Sequence, residues 1–448
     1  MPSPLKSPRL RRIIAAYAVN RLGSWVGLVA LSLAVFDHTH SALAVAALLF
    51  AWQALPAFLV PALVARVEAS ARPSALAGLY FFEAVVTAAL AVLLWHFWLP
   101  AILLLAALDG MAALAASALL RAEVARAGRD QVAGMTAAAM AQFESLEATA
   151  QEAERNANAA LNVAFSISFV AGPALGGAVV AGAGAPAALF IDVGSFLIGG
   201  VLLIDLHRRV ENAGGDSVRA RLRAAWTHIH ESPMLRGLLL TQAVALVFIE
   251  AGGPIEVVYA KATLFAGDRG YGLLVTTWGA GAVLGSVVFA RFVRRPLGAM
   301  LSAGTFALGA AFVGFALAPS LALACLAAFV GGVGNGVEWP SLISLVQRLT
   351  PQHLHGRLMG AVESIAALCL AIGLSMGGIL VALSSPRTAF LVIGLGAMVS
   401  SLALVRLSLP RVAVAPDGDT HVPPTASPTE SSEQSLPPEP ARREPAPK

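Results

Sequence analysis

Apolar stretches long enough to cross the hydrocarbon layer of a membrane recur twelve times along this chain, and no other feature limits its fold so tightly. A helix needs ~20 apolar residues to span that layer. The stretches run over 13–36, 41–65, 74–95, 98–120, 157–181, 186–205, 235–259, 271–292, 298–318, 320–346, 358–383 and 387–407. Composition agrees, since 57% of the 448 residues are apolar and 12% charged, against about 25% charged in soluble domains. A soluble enzyme is excluded, and the expected fold is an all-α polytopic membrane protein with twelve transmembrane helices. The first stretch follows Lys6, Arg9, Arg11 and Arg12 and is too long for a signal-peptide core, so it reads as a retained helix.

The basic residues set the direction of the spans. Twenty-three of them fall on one set of connections, among them Arg66, Arg72, Arg121, Arg208, Arg291, Arg348 and Arg406, and only Lys261, Arg269 and Arg387 on the other. Positive residues mark the cytoplasmic side, so both termini are expected in the cytoplasm of a cell bounded by a bacterial inner membrane. That requires an even number of spans. The same asymmetry accounts for the net charge of +4, and no nucleic-acid partner is expected. Cys325 and Cys369 lie inside apolar stretches, which argues against a structural disulfide or a cysteine metal framework.

The polar connection after the sixth span divides the spans six and six. The expected organisation is an N-terminal half over 1–205, a cytoplasmic central loop over 206–234, a C-terminal half over 235–409 and a disordered cytoplasmic tail over 410–448, rich in Pro, Ser, Thr and Glu. Short internal matches support a repeat. Gly172-Pro173-Ala174-Leu175-Gly176-Gly177 in span five echoes Gly373-Leu374-Ser375-Met376-Gly377-Gly378 in span eleven, and Ala65-Arg66-Val67 echoes Ala290-Arg291-Phe292. The connection over 121–156 is rich in Ala and Glu, with Phe143, Leu146, Ala150 and Ala153 on one helical face. It reads as a cytoplasmic helix lying on the membrane or the bundle.

No catalytic constellation is legible. A P-loop needs a lysine after a glycine-rich turn, and Lys6, Lys261 and Lys448 have no such setting. The pairs His228/His230 and His353/His355 lack nearby acidic or sulfur ligands, so neither metal nor cofactor is expected. The informative residues are instead ionisable side chains within the spans, each costing ~2.5–3.5 kcal/mol on insertion scales and therefore usually facing a cavity or a partner. These are Arg21, Glu83, Asp109, Asp192, Glu250, Glu338 and Glu363. Asp109 lies ~16 Å from the outer end of its span and Glu250 similarly deep, so both are candidate proton or substrate sites. Glu338, Glu363 and Asp192 read as nearer an interface, suited to ion pairs or solvated positions. Arg21 is intermediate, and its long side chain could snorkel. Desolvation disfavours a charged carboxylate, so such a group can exchange a proton while the bundle rearranges. Gly172, Gly176 and Gly177 put small residues on one face for close helix contact, and Pro173 removes a backbone donor.

Twelve spans in two halves with these short motifs resemble the major facilitator superfamily. Gly172-Pro173-Ala174-Leu175-Gly176-Gly177 is similar to the span-five motif of its proton-coupled exporters. Leu22-Gly23-Ser24-Trp25, Thr39-His40-Ser41-Ala42-Leu43-Ala44 and Gly356-Arg357-Leu358-Met359-Gly360 resemble the macrolide-efflux and enterobactin-export branch. The resemblance implies that spans one, four, seven and ten line a central cavity, which would carry Arg21, Asp109, Glu250 and Glu338. It also implies a gating loop after span two, from which this chain departs: Pro61 and Ala65 stand at the usual glycine and aspartate positions, leaving Arg66. The function expected is export of small amphiphilic molecules by a proton-coupled secondary transporter. An importer or facilitator, and a non-transporting membrane partner, are the alternatives.

Overall fold

A computed structural model describes residues 7–58, 75–133, 146–204, 226–292, 295–351 and 354–408. Arg66, Pro61 and Ala65, the tail, and most of the central loop lie outside the described residues, as do Phe143, Glu144 and His353. The described residues are overwhelmingly helical. In chain order the helices are α1 (Pro8–Thr39), α2 (Ala42–Leu49), α3 (Ala75–Leu93), α4 (Leu99–Ala133), α5 (Leu146–Ala183), α6 (Ala185–Leu203) and α7 (Pro233–Glu250). They continue with α8 (Gly252–Val258), α9 (Gly267–Arg291), α10 (Leu297–Leu317), α11 (Leu321–Arg348), α12 (His355–Leu383) and α13 (Pro386–Ser408). Eleven segments are long and apolar enough to cross a membrane, with α7 and α8 forming one of them. The expected second span is an apolar helix over Ala42–Phe58, the last described residue before a gap.

Local chemistry sets the helix ends. The Ser7 side chain accepts from Leu10 N–H ahead of Pro8, and Ser232 accepts from Leu235 N–H ahead of Pro233. Both follow the preference for a hydroxyl cap with proline in the first turn. α1 stops where His40 turns left-handed (φ 46°), and Ser41 then caps α2. The break between α7 and α8 follows from Pro254, which offers no N–H to the carbonyl four residues back. That carbonyl belongs to Glu250, the last residue of α7.

The connection over 121–156 differs from expectation. Residues 121–133 simply continue α4, and 146–156 open α5. Alanine, arginine and glutamate favour helix, and no proline interrupts either stretch, so the spans extend past the membrane instead of yielding to a separate surface helix. At 1.5 Å per residue α4 is ~50 Å long against a ~30 Å hydrocarbon layer.

Two crossings share a device. Pro56 supplies no N–H to the Trp52 carbonyl, and Gly110 of α4 lies so close to that oxygen that a Cβ there would be 2.0 Å from it. Pro173 likewise supplies none to Phe169, and a Cβ on Gly279 of α9 would be 2.9 Å from that carbonyl. A proline removes the donor, and a glycine on the neighbouring helix occupies the space.

The bundle is sealed at one end. Toward the Thr39 end of α1, a single apolar core joins α1, α2 and the tops of α3, α4 and α6 to α7, α8, α10 and α12. Toward the Pro8 end the core divides. One cluster contains only residues of the first six spans, from Leu10 to Leu203, and the other only residues from Ile229 to Leu404.

Gly110→Ala is expected to lower the melting temperature of the detergent-solubilised protein by an overpacking cost of about 1–3 kcal/mol. Gly78→Ala, in open space on α3, is expected to leave it unchanged or slightly raised. Equal behaviour of the two variants would refute the close-contact account.

Candidate functional site

The ionisable residues within the spans fall into two separate sets. In the first six spans, Asp109 is 8% exposed, Asp192 5% and Glu83 2%. The Trp52 indole donates to Asp109 Oδ2 at 2.8 Å and the Thr87 hydroxyl to Oδ1 at 3.2 Å. The Pro56–Gly110 crossing makes the first of these bonds reachable, because it brings the Trp52 backbone against α4 beside Asp109. Ser195 donates to Asp192 Oδ1 at 3.1 Å. Asp192 is pressed against α1, where a Cβ on Gly27 would lie 2.3 Å from Oδ2. Ser24, Gly27, Trp52, Thr87, Asp109 and Asp192 border one narrow cavity of about 20 Å³, room for a single water. Glu83 lies close enough for Asp109, Asp192 and Arg21 all to act on it electrostatically. Arg21 stacks over Tyr17, its guanidinium carbon 5.6 Å from the ring centre.

The second set belongs to the later spans. Glu338 on α11 is 3% exposed and accepts a hydrogen bond from Gln242 Nε2. Glu250, half-buried at the α7 break, lies close enough to act on Glu338. A Cβ on Gly373 of α12 would come 2.7 Å from Glu250 Cβ. Glu256, on α8, is a further half-buried carboxylate.

Asp109 is buried and Glu250 half-buried; Asp109 neighbours Asp192 and Glu83, whereas Glu250 neighbours Glu338. Among the described residues no hydrogen bond or ion pair joins Arg21, Asp109, Glu250 and Glu338 to one another. Asp192 and Glu338 are both buried and not solvated, each accepting a hydrogen bond from a neutral side chain. Counting residues along a span measures depth only, while burial depends on which way the helix is rotated. Glu363 is exposed on α12. Among the described residues no group of His, Cys, Asp and Glu is arranged to hold a metal ion. Gly373-Leu374-Ser375-Met376-Gly377 has the spacing of a hydrolase elbow, which requires a strand-to-helix turn. Here it lies within α12, and Ser375 donates to the Ala371 carbonyl.

The span-five glycines work as contact surfaces. A Cβ on Gly172 would lie 2.4 Å from Trp25 Cβ, and one on Gly176 would lie 3.1 Å from Val26 Cα. Gly177 faces the other way, toward Gly272 and the Asp268 carbonyl of α9. At the same end Lys261 Nζ pairs with Asp37 Oδ1 of α1 at 2.6 Å and with Asp268 Oδ1 of α9 at 2.5 Å. Sequence reasoning left Asp37 unmarked. The available signal was Lys261 itself, one of three lysines and one of three basic residues on its side of the bundle.

Helices of membrane-crossing length, joined by one core at the Thr39 end and divided between two at the Pro8 end, make a polytopic helical bundle. Solved transporters share it. Nucleoside transporter NupG superposes with a TM-score of 0.68 over 90% of this chain and 99% of that one, at 13% identity. A bacterial homologue of iron transporter ferroportin in an inward-facing state gives 0.67 over 90% and 98%, at 18% identity. The family model of the Major Facilitator Superfamily matches residues 257–444 of this chain. Among curated relatives, the uncharacterized MFS-type transporter YfiS of Bacillus subtilis (strain 168) is 29% identical over 241 residues, 51% of this chain and 57% of that protein. The multidrug efflux pump Tap of Mycolicibacterium fortuitum is 26% identical over 277 residues, 57% of this chain and 64% of the pump. The chain therefore matches less than two thirds of the length of either relative.

Gln242→Ala would leave Glu338 without its donor, a loss of about 1–3 kcal/mol. It is expected to lower the melting temperature clearly more than Thr241→Ala, whose hydroxyl bonds only to the Gly237 carbonyl of its own helix. Equal melting temperatures would show that the Gln242 contact contributes nothing.

Proposed function

We propose that this chain exports small amphiphilic compounds, a drug or a secreted metabolite, across a bacterial inner membrane by alternating access driven by protons. The observation that carries the proposal is the combination of a bundle sealed by a common core at its Thr39 end, divided into two cores at its Pro8 end, with buried carboxylates between. The positive-inside count puts the divided end in the cytoplasm, with both termini. A molecule leaving the cell would enter there, reach the carboxylates at mid-depth, and leave once the core at the other end parted. The Tap relatives, multidrug efflux pumps by description, favour export over import, and span five carries the Gly172, Pro173, Gly176 and Gly177 motif on which the resemblance to exporters rests.

On this reading Asp109 and Glu250 carry the coupling, with Arg21 and Glu338 beside them, and Arg66 belongs to the cytoplasmic gating loop. Neutralising a carboxylate that must lose and regain a proton removes the driving step while keeping the side chain's shape, although at Asp109 the amide retains only one of the two acceptors that Trp52 and Thr87 use. In an efflux-deficient bacterium, the wild-type chain is expected to protect against at least one class of amphiphilic toxic compound in a growth-inhibition panel. Asp109→Asn and Glu250→Gln, at matched membrane levels, are expected to protect no better than empty vector. Undiminished protection by both variants would remove these residues from the mechanism, and counterflow in oriented vesicles distinguishes export from import.

The Lys261 pair is part of the outer seal in this scheme. Lys261→Gln removes the attraction to Asp37 and is expected to raise the population open to the outside. A cysteine at Ala46, which packs against Gly378 of α12, reports this once Cys325 and Cys369 are replaced. Labelling by a membrane-impermeant maleimide added outside is expected to be several-fold faster in the Lys261→Gln background. An unchanged rate would exclude the pair from the seal.

A further inference from the structure

The cavity between Asp109 and Asp192 lies wholly among the first six spans, bordered by residues of α1, α2, α3, α4 and α6. It is therefore distinct from any space between the two halves. Asp109 has a donor on each oxygen, from Trp52 and Thr87. Asp192 has Ser195 on Oδ1 alone. Its Oδ2 has no hydrogen-bond partner among the described residues, although the residue is 5% exposed and borders the cavity. One oxygen of a nine-tenths buried carboxylate, packed against Gly27 of α1, is thus left unpartnered beside a space the size of a water.

We propose that this cavity is a cation pocket in which Asp109 and Asp192 hold a single exchangeable proton between them. The proposal rests on the proton-driven reading above and deepens it, naming Asp192 as the partner of Asp109. Two carboxylates sharing a dry site cannot both be ionised without a large repulsion, so the pair binds and releases one proton as a unit. The balance is simple: a proton adds to the Asp192 Oδ2 lone pair to give a carboxylic acid, the pair's charge falls from −2 to −1, and release reverses both changes. The remaining charge is met by donors already in place on Asp109.

The surroundings favour a proton over a metal ion. The cavity admits a single water, no described cluster of His, Cys, Asp and Glu is arranged to hold a metal, and indole and hydroxyl donors occupy Asp109 on both oxygens. Beside the pair is Glu83 of α3, on which both aspartates act; Arg21 of α1 acts on Glu83 and, with Tyr17, on Tyr80, and the described part of α2 contributes no charged group. Glu83 Oε2 is itself buried without a partner. Arg21 is the one basic residue close enough to act on Glu83 and offsets part of the negative charge around the pocket.

The test needs no transported substrate. The full chain in lipid vesicles is titrated with pH while the infrared carbonyl band of buried protonated carboxyls is recorded in light and heavy water. Wild type is expected to show a component that titrates with pH. Asp109→Asn and Asp192→Asn are each expected to abolish that component, and the double variant to remove no more than either alone, because one proton serves both. Losses that add in the double variant, or a component untouched by Asp192→Asn, would overturn the proposal. So would its displacement by added sodium ions, which would assign the cavity to a metal cation.

Ser195→Ala keeps both acids and removes only the Asp192 donor. It is expected to shift the frequency of the component without changing its amplitude, and an unmoved component rejects the pair even if the asparagine variants fail to fold. A shared proton in a chain that protects against no compound would sink the export reading and leave the pocket standing. Protection without a shared proton would do the reverse.

Discussion

Between helices that are apolar on every side, burial cannot decide which faces meet, because lipid is as good a neighbour as another helix. Shape decides, and in this bundle the shape is set by prolines and glycines acting in pairs. Pro56 leaves the Trp52 carbonyl without its usual donor and Gly110 moves in against it; Pro173 does the same at Phe169 and Gly279 answers. The first crossing places an indole on Asp109, and the second fastens α5 to α9 across the two halves. Both the inner chemistry and the seal depend on a missing N–H opposite a missing Cβ.

Much of this was legible in the sequence and some was not, for a single physical reason. Hydropathy reports where a helix enters and leaves the membrane, so the spans could be read from spacing. Rotation about the helix axis leaves no trace in an all-apolar span, where the polar stripe that would mark a buried face in a soluble helix is absent. The burial of Asp192 beside Ser195 and of Glu338 beside Gln242 therefore leaves no mark in the spacing. The pairing of Asp37 with Lys261 depends on two residues more than two hundred positions apart whose spans carry no matching signal. The extension of α4 and α5 was hidden differently: Ala, Glu and Arg favour helix equally well in water and on a surface, and only the continuous backbone distinguishes the two.

The two acid sets differ in how they are satisfied. Around Asp109 the donors are neutral, an indole and a hydroxyl, fixed by their own packing. Around Glu338 a single amide donates, and that amide's own oxygen, Gln242 Oε1, is buried without a partner. Asp109 thus has a donor on each oxygen, whereas the donor to Glu338 keeps an open valence about two turns before the α7 break.

Lys261 holds one aspartate from its own half and one from the other, and this settles what separation of the halves leaves behind. Parting α1 from α9 takes Asp37 away but not Asp268, so the ammonium is never stripped of its last counter-charge, and Asp37, the most exposed of the three side chains, passes into water. A latch made of one cation and one anion would strand both on every cycle. With the third member, the desolvation penalty that makes isolated buried charges so costly is kept out of the opening step, and the seal can be firm without being slow to release.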